Sequence, residues 1–454
     1  MANPEFHDIA DISAAAGALV YEHGWQSWSP SGTYPLDQPS PRATSPDRQI
    51  MGYRPELPAP AHTFQGEGLL AFDAGTDEGV RIWSAHDPHR EVPSIRLSTQ
   101  GNRAIVSANG AVREDVYQGD IEQALAQWAS ELAARLSVGP LATLPPFWCS
   151  WYQYFTHVTE ADMLENLAAI DRLSLDIGLV QLDDGYQAGI GDWLERSPGF
   201  PHPLSELAQR IRDSGRRAGI WTAPFLVGEQ SQLARQHPDW LVGDANAGFN
   251  WGQRLRALDV THPDAAEYLR AVFSSLAAQG FDFFKIDFLY AGALPGQRRQ
   301  AIAPLAAYRA GIDLIRDAVG DQATLLGCGA PLLPSIGLVE AMRISPDVAV
   351  YVEPPDGDLS QPAQRSALLA GRARAFQHGR WWVNDPDCLI ARPEVEQREA
   401  WAAHIERSGG LRGSSDRLEG LDAWGLETTR RLLRPSSATP VTPETPLAPA
   451  NPAS

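Results

Sequence analysis

The segment FDFFKIDFLY at residues 281–290 carries two charged residues in a run that otherwise has the composition of a buried strand. Lys285 and Asp287 are two residues apart, and strand pleating directs both side chains to the same face. A buried cation and anion cost desolvation free energy, so the pair is either a structural ion pair or part of a site. Its spacing makes it a candidate site at the end of a predicted strand.

A second acid follows about 60 residues later, in the strand-like run VEAMRISPDV at residues 339–348. This run ends in a turn that carries Arg343 and Asp347. Two acids at the ends of two strands could supply the nucleophile and the proton donor that cleave a glycosidic bond. Arg343 is alternatively a counter-ion that holds Asp347 in place.

The order of segments predicts how these residues are positioned. From residue 146 onward, eight strand-like segments alternate with helices over roughly 290 residues, which predicts an α/β protein of the (β/α)8 TIM barrel class. A doubly wound open sheet is the alternative, although it normally has fewer strands. The predicted strands are 147–154, 177–184, 218–225, 281–288, 323–329, 340–345, 380–385 and 409–414.

The regions that flank this predicted barrel differ from it in sequence pattern and composition. Residues 1–120 contain short apolar segments separated by Gly, Pro, Asp and Asn, which predicts an N-terminal antiparallel β domain. Residues 121–145 begin with an amphipathic helix and link that domain to the catalytic barrel, predicted at 146–434. Residues 435–454 are rich in Pro, Ser, Thr and Ala, which predicts a disordered tail.

Composition limits the partners. The formal net charge of −19 argues against nucleic acid and against an anionic membrane surface as partners. The N-terminus has no basic segment followed by an apolar core, so we expect no signal peptide. No window approaches the roughly 18 apolar residues of a membrane span. The oligomeric state does not follow from these features.

Cysteine and histidine usage points to reduced thiols and no metal. The three cysteines, Cys149, Cys328 and Cys388, cannot all pair, and their spacing is not that of a zinc site. We therefore expect a cytoplasmic protein. The 11 histidines are scattered, and no nucleotide-binding glycine motif occurs, so we predict neither a metal nor a cofactor.

Polar and aromatic side chains follow most of the predicted strands, at the barrel face where function concentrates. Acids beside indoles would suit a sugar, whose hydroxyls bind charged groups and whose CH face stacks on aromatic rings. Each group also has a structural interpretation: a turn for Asp183 and Asp184, core packing for Trp151 and Tyr152, and a helix-opening turn for residues 384–387. The residues at these ends are Trp151, Tyr152, Asp183, Asp184, Trp221, Lys285, Asp287, Cys328, Arg343, Asp347, Asn384, Asp385 and Asp387.

Seven motifs in this region resemble glycoside hydrolase family 36, whose best-known members are retaining α-galactosidases and which shares a clan with family 27. They occur in the order WCSWYQYF, LVQLDDGYQ, GIWTAPF, FFKIDFLY, LLGCGAPLLPSIG, MRISPDV and WWVNDPDC. The similarity runs from about Trp148 to Asp416, and GWQSWSPSG at 24–32 resembles the family's N-terminal β-sandwich-type domain. Family members usually end in a C-terminal β-sandwich, whereas this sequence ends in the Pro-rich segment.

The resemblance implies a role for each matching position. It implies that Asp287 is the nucleophile and Asp347 the general acid/base. Asp183 and Asp184 would hold the O4 and O6 hydroxyls, Lys285 would hold O3 and O4, and Arg343 would lie near O2. Further lining residues would be Trp221, Trp151, Tyr152, Cys328 and either Trp25 or Trp28, of which we take Trp28 as the candidate.

The implied activity is hydrolysis of terminal α-D-galactosyl residues from oligosaccharides such as melibiose or raffinose, by double displacement. Transglycosylation and α-N-acetylgalactosaminidase activity are alternatives on the same scaffold, and the latter depends on room near Cys328 and Arg343. A non-catalytic sugar-binding barrel and an enzyme that uses Lys285 as a Schiff-base lysine are others. We expect Lys285 to keep Asp287 ionised, Arg343 to point at the sugar, and the two catalytic carboxylates to lie about 5–6 Å apart.

Overall fold

The computed structural model describes residues 5–434. The predicted disordered tail at 435–454 lies outside the described residues. The described chain consists of an N-terminal part with antiparallel sheets and a following part built around one parallel sheet. Among residues 5–434, no helix combines the length and the apolar character needed to cross a bilayer.

The N-terminal part contains two antiparallel sheets that pack on each other. Leu70 and Phe72 of one sheet share a hydrophobic cluster with Ile95, Leu97 and Val106 of the other. The sheet orders are β1-β8-β7-β4 and β3-β2-β5-β6-β9. The strands are β1 (His7–Ser13), β2 (Leu19–Glu22), β3 (Gly32–Pro35), β4 (Thr63–Glu67), β5 (Leu69–Asp73), β6 (Val80–Ala85), β7 (Ser94–Gln100), β8 (Arg103–Ala108) and β9 (Val112–Tyr117).

Two helices belong to this half of the chain, α1 (Pro46–Gly52) and α2 (Ile121–Arg135). Asp120 caps the N-terminus of α2: its side chain accepts the amide N–H of Gln123 in a capping box. Its apolar face includes Trp128, which packs edge-on against Trp381 with the ring centroids 5.7 Å apart. Helix α2 therefore lies against the part of the molecule that is built around the parallel sheet.

The second part is organised by an eight-stranded parallel sheet of order β19-β18-β17-β16-β12-β11-β10-β20. The strands follow chain order, and the last returns beside the first, whereas the order of a doubly wound sheet reverses. Beyond this ladder, the amide of Leu411 donates to the carbonyl of Asn384 at 2.8 Å, and a bridge joins Leu389 to Ser414. The sheet is therefore barrel-like.

The elements of this part agree in order with the predicted ones, although most strands are shorter. The strands are β10 (Phe147–Cys149), β11 (Leu179–Leu182), β12 (Arg217–Thr222), β13 (Leu226–Gly228), β14 (Phe249–Asn250), β15 (Gln253–Ala257), β16 (Phe283–Ile286), β17 (Thr324–Gly327), β18 (Ala341–Arg343), β19 (Val383–Asp385) and β20 (Gly413–Ser414). The helices are α3 (Trp151–Tyr154), α4 (Glu160–Arg172), α5 (Leu204–Asp213), α6 (Gln232–Gln236), α7 (Pro263–Ala278), α8 (Pro304–Val319), α9 (Gln364–Ala373), α10 (Arg398–Ser408) and α11 (Ala423–Leu432).

The first predicted strand, 147–154, is wrong in its second half. Strand β10 ends at Cys149, and the aromatic residues that follow form the short helix α3. The amide of Tyr152 donates to the hydroxyl of Ser415 at 2.8 Å, which fixes the turn over the end of the sheet. Aromatic content favours a strand locally, but this contact with a residue far along the chain decides the conformation.

A buried arginine joins the two parts of the chain. Arg374 has no exposed surface, and its guanidinium donates to the carbonyls of Gln26 at 3.1 Å, Ser29 at 2.7 Å and Ile344 at 2.7 Å. These bonds hold the segment at 24–32 against the C-terminal edge of the parallel sheet. Side chains of that segment can therefore reach the carboxyl ends of the parallel strands.

Candidate active site

A cavity of about 270 Å³ lies at the carboxyl ends of the parallel strands. This volume is close to the lower limit of roughly 300 Å³ for small-molecule pockets, and it suits a ligand the size of one sugar ring. The wall combines four acids, one amine and several aromatic rings. It consists of Trp28, Trp151, Phe155, Thr156, Asp183, Asp184, Trp221, Asn250, Trp251, Lys285, Asp287, Phe288 and Asp347.

Asp287 directly follows β16, and both its carboxylate oxygens accept hydrogen bonds. Trp221 Nε1–H donates to Oδ2 at 2.9 Å, and the amide of Phe288 donates to Oδ1 at 2.7 Å. Phe288 has a left-handed φ of 52°, an uncommon conformation for a bulky residue and one that is found at functional turns. The turn and the indole together fix the direction of this carboxylate.

Burial raises the pKa of Asp287, and it outweighs the adjacent Lys285 and the Trp221 hydrogen bond, which both lower it. That Lys285 keeps Asp287 ionised therefore stays a prediction. The amine contributes in the expected direction, but desolvation is the larger effect.

Lys285 binds a different acid more closely than Asp287. Its Nζ lies 2.9 Å from Asp183 Oδ2 and 3.9 Å from Asp287 Oδ2. Burial lowers the pKa of Lys285, but Asp183 and Asp287 raise it well above its ordinary value, so the amine stays charged. Lys285 is the one lysine among the 37 basic residues of the sequence. A single small ammonium therefore links the two acids.

Asp184 follows Asp183 at the end of β11 and points to a different part of the wall. Its Oδ2 accepts the Trp251 indole N–H at 2.8 Å, and its Oδ1 accepts the Gln187 amide at 2.5 Å. Burial raises the pKa of Asp184 to about 6, while these two hydrogen bonds lower it. The turn at residues 183–185 does not cap a helix, because the next helix begins at Leu204.

Asp347 lies across the same cavity and is the more open of the two candidate catalytic acids. Its side chain is 29% exposed, against 8% for Asp287. Trp151 Nε1–H donates to Asp347 Oδ2 at 3.2 Å, and Arg343 Nη1 lies 3.0 Å from Asp347 Oδ1. The negative charge of Asp347 raises the pKa of Asp287, so the two acids interact electrostatically.

Arg343 faces carboxylates in this structure, and its approach to the sugar stays a prediction. Its side chain is 3% exposed, and the residue does not line the cavity. Its nitrogens face three carboxylates: Nη1 faces Asp347, Nε faces Asp385 and Nη2 faces Asp387, each at 3.0 Å. The counter-ion interpretation describes this geometry, since each carboxylate occupies its own guanidinium nitrogen.

Residues 384–387 contribute to this ion cluster. Asp385 and Asp387 are fully buried and pair with Arg343. No helix begins here, contrary to the expectation for an Asp-Pro turn, because β19 is followed by irregular chain up to α10. The acids are therefore explained by their partner and not by helix capping.

Two other predicted lining residues lie behind the wall. The Tyr152 hydroxyl donates to Asp387, and the ring is buried. Cys328 is also buried, and its thiol lowers the pKa of Asp287. Of the two N-terminal candidates, Trp28 lines the cavity, whereas Trp25 lies elsewhere, beneath the guanidinium of Arg54 at 5.0 Å.

Sequence reasoning missed several lining residues, of which Trp251 is the most informative. It belongs to the segment between β12 and α7, where β13, β14 and β15 form a small antiparallel sheet. Trp251 sits in the turn between β14 and β15 with a φ of 49°. The Asn-Trp-Gly triplet between two short strands was an available hairpin signal.

Two further cavities adjoin this one. One, of about 450 Å³, shares Thr156, Asp184 and Trp251 with it. The other, of about 370 Å³, shares Trp28 and Asn250 and reaches the exposed Phe249. The central cavity therefore has neighbouring space on two sides.

Comparisons with known proteins agree with this fold. The Melibiase family model matches residues 146–293. Alpha-galactosidase AgaA of Geobacillus stearothermophilus is 29% identical over 155 residues, which cover 31% of this chain and 21% of the relative. An Escherichia coli alpha-galactosidase is 27% identical over 139 residues, which cover 30% of this chain and 20% of the relative. These alignments span about a fifth of the length of the curated relatives.

Similarity to solved structures extends much further along the chain. TtGalA, an alpha-galactosidase from Thermus thermophilus solved in complex with p-nitrophenyl α-D-galactopyranoside, is 30% identical with a TM-score of 0.79. The match covers 94% of this chain and 89% of that one. GH36 alpha-galactosidase AgaA from Geobacillus stearothermophilus has a TM-score of 0.63 at 15% identity, which shows a common fold; this match covers 93% of this chain and 61% of that one.

The chain is a barrel-like α/β protein with a sugar-sized pocket. Acids and tryptophans surround this pocket at the carboxyl edge of the parallel sheet. Within that class, the chain belongs to glycoside hydrolase family 36, the α-galactosidase-like family.

Proposed function

We propose that the protein is a retaining α-galactosidase that hydrolyses terminal α-D-galactosyl residues of oligosaccharides such as melibiose or raffinose. The observation that carries this proposal is that Asp287 and Asp347 line one sugar-sized cavity in unlike environments. One acid is enclosed and directed by two donors, and the other is partly open to solvent. TtGalA, solved with a galactoside and with stachyose, supports the choice of sugar.

In the first step, Asp287 attacks the anomeric carbon and forms a covalent galactosyl ester. The bond to the departing oxygen breaks, and Asp347 transfers its proton to that oxygen. The hydrogen bonds from Trp221 and Phe288 hold the Asp287 carboxylate in its attacking direction. A partly exposed Asp347 suits proton transfer to an aglycone that leaves through the mouth.

In the second step, water attacks the same carbon from the side of the departed aglycone. Asp347, now ionised, takes a proton from this water, and the ester bond to Asp287 breaks. Two inversions give net retention of the α configuration. A sugar hydroxyl in place of water would give transglycosylation.

The remaining polar groups of the wall would bind the galactose hydroxyls. Asp183 and Lys285 form one charged pair, and Asp184 provides a carboxylate held by Trp251. Carboxylates accept hydrogen bonds from hydroxyls, and the ammonium donates to them. The faces of Trp221 and Trp251 offer apolar surface to the CH groups of the ring.

Azide rescue of Asp287→Gly tests the nucleophile. We expect the parent protein to release galactose from raffinose and from p-nitrophenyl α-galactoside, and Asp287→Gly to be inactive on both. Azide should restore turnover of the aryl substrate and give β-galactosyl azide, identified by NMR. Asp282→Gly is the matched control at the opposite end of β16, where the side chain is 50% exposed, and it should remain active. Absence of rescue, or an α-configured azide, would contradict the assignment.

Chromatograms of the parent with α-N-acetylgalactosaminides and α-glucosides test the sugar specificity. Cys328 and Arg343, which the resemblance places near C2, are both buried, and this supports a small substituent at C2. Release of N-acetylgalactosamine at a rate equal to that of galactose would contradict galactose specificity.

We also propose a division into an N-terminal β domain at 1–120, a linker at 121–145 and a (β/α)8 TIM barrel at 146–434, and a cytoplasmic location. Two packed antiparallel sheets and a parallel sheet in chain order support the division. Three free, buried thiols support the location. Limited proteolysis that cuts within 121–145 would support the division.

A further inference from the structure

Two buried carboxylates that the mechanism above does not use lie beside the counter-ion of Asp347. Asp385 and Asp387 each approach Arg343 to 3.0 Å, and neither side chain has exposed surface. Burying two acids for one arginine costs desolvation free energy that a single pair would not require. The second acid therefore calls for an explanation beyond ordinary charge pairing.

The charge of Arg343 creates a problem for acid catalysis. An arginine 3.0 Å from a carboxylic acid favours the ionised form of that acid, whereas a proton donor must carry its proton into the first step. With Asp385 and Asp387 ionised, one positive charge faces two negative ones behind Asp347. The charge of the guanidinium is then shared with two carboxylates other than Asp347.

Asp387 also acts on the backbone next to Asp347. Its Oδ2 accepts the amide of Val348 at 2.8 Å and the hydroxyl of Tyr152, while its Oδ1 faces Arg343. The amide of Asp387 in turn donates to Asp385 Oδ1 at 3.0 Å. The two acids therefore fix both the guanidinium and the turn that presents Asp347.

We propose that Asp385 and Asp387 are positioning residues that act on Asp347 through Arg343: they orient the guanidinium and compensate its charge, so that Asp347 keeps its proton for the first step. This inference rests on the proposed function, because it assigns Asp347 as the acid/base.

Titratable groups at every neighbouring strand end face this cluster. Their effects on the pKa values of Arg343 and Asp387 are consistent with the inference. Burial lowers the pKa of Arg343, but Asp385 and Asp387 raise it well above its ordinary value, so the cation persists. Burial raises the pKa of Asp387 to about 6; Arg343 opposes this change, and Asp347 and Asp385 add to it. Compensation is therefore fullest above about pH 6. The titratable and charged groups concerned are Tyr152, Lys285, Asp287, Cys328, Arg343, Asp347, Asp385, Asp387 and Cys388.

The pH dependence of kcat/KM on raffinose tests the inference, because a purely structural role would not move it. Asp385→Asn and Asp387→Asn each remove one compensating charge and keep the shape of the side chain. The basic limb of the profile should move to lower pH by about 1 unit in both variants, since the arginine then favours ionised Asp347. Activity on p-nitrophenyl α-galactoside at neutral pH should fall less, because its leaving group needs little protonation.

Two further variants control this measurement. Asp416→Asn removes a buried acid that pairs with Arg392 at 2.8 Å, away from Asp347, and it should leave the basic limb in place. Arg343→Gln removes the cation and leaves both acids, so the limb should move to higher pH. If neither Asn variant folds, as judged by thermal unfolding, an unmoved limb in Arg343→Gln would overturn the inference, because the arginine would then exert no charge on Asp347 for the two acids to compensate.

An unmoved basic limb in folded Asn variants would overturn the inference. Inactivity of these variants at every pH, with Asp416→Asn active, would overturn it as well. A parent protein that does not hydrolyse p-nitrophenyl α-galactoside would instead count against the proposed function.

Discussion

The two acid clusters at the carboxyl ends of the parallel strands differ in their cation and in their exposure to solvent. On one side, Lys285 is a single small cation between Asp183 and Asp287, and all three are almost fully enclosed. On the other side, Arg343 is a large planar cation that serves three carboxylates, one of which, Asp347, is 29% exposed. The first cluster is enclosed, and the second opens to solvent.

This difference matches two chemical tasks. A nucleophile needs a fixed direction and exclusion of water, which Trp221 Nε1–H and the Phe288 amide provide for Asp287. A group that donates and later accepts a proton must meet the leaving group and the incoming water, so it must lie at the mouth. Enclosure on one side and access on the other therefore define the proposed roles.

Asp347→Ala should have the largest effect on the open cluster. We expect kcat/KM on raffinose to fall by about 10³–10⁴-fold, because the poor leaving group then departs without protonation. The loss on p-nitrophenyl α-galactoside should be far smaller. Asp356→Ala, at an acid with a 54% exposed side chain in the segment between β18 and α9 that also contains Asp347, is the control and should behave as the parent. Equal losses on both substrates would remove the acid role of Asp347.

Lys285→Met should have the largest effect on the enclosed cluster apart from loss of Asp287 itself. Losing this charged donor should lower kcat/KM by about 10²–10³-fold. Lys285 lowers the pKa of Asp287, so its removal raises that pKa further, and the acidic limb of the pH profile should move to higher pH.

Lys285→Arg separates charge from size at the same position. The substitution retains a cation but places the larger, planar guanidinium between Asp183 and Asp287. The acidic limb of the pH profile should therefore stay near that of the parent, while kcat/KM falls. An acidic limb that moves to lower pH in Lys285→Met would contradict the described ion pairing.

Trp251→Phe should have the smallest effect of these changes and concerns substrate binding. Asp184 must be ionised to accept hydroxyls, so KM should rise as the pH falls through about 6. Trp251 lowers the pKa of Asp184 by its hydrogen bond; without it, this inflection should move to higher pH and KM should rise about 10-fold. Trp240→Phe, in the same segment between β12 and α7 but stacked on His237, is the control. A KM that does not depend on pH near 6 would contradict this role for Asp184.

Local patterns in the sequence were sufficient to predict the order of strands and helices. Alternation of short apolar runs with amphipathic segments predicted the parallel sheet, and the acids after those runs predicted where Asp183, Asp287 and Asp347 lie. Such inferences succeed because burial and strand direction leave a signal within a few residues. The same signals failed for residues 151–154, where an aromatic run turned into a helix.

Tertiary structure alone decided the partners of these residues. The sequence placed Lys285 beside Asp287, but the fold brings it closer to Asp183, 102 residues away along the chain. Arg343 was expected at the sugar, but Asp385 and Asp387 from the neighbouring strand end occupy its guanidinium. Trp28 reaches the cavity from the segment at 24–32, and Trp251 reaches it from the segment between β12 and α7. The physical reason is that the type of a residue determines how much desolvation free energy its burial costs. Which partner offsets this cost depends on which elements the fold brings close together, and these elements are far apart in the chain.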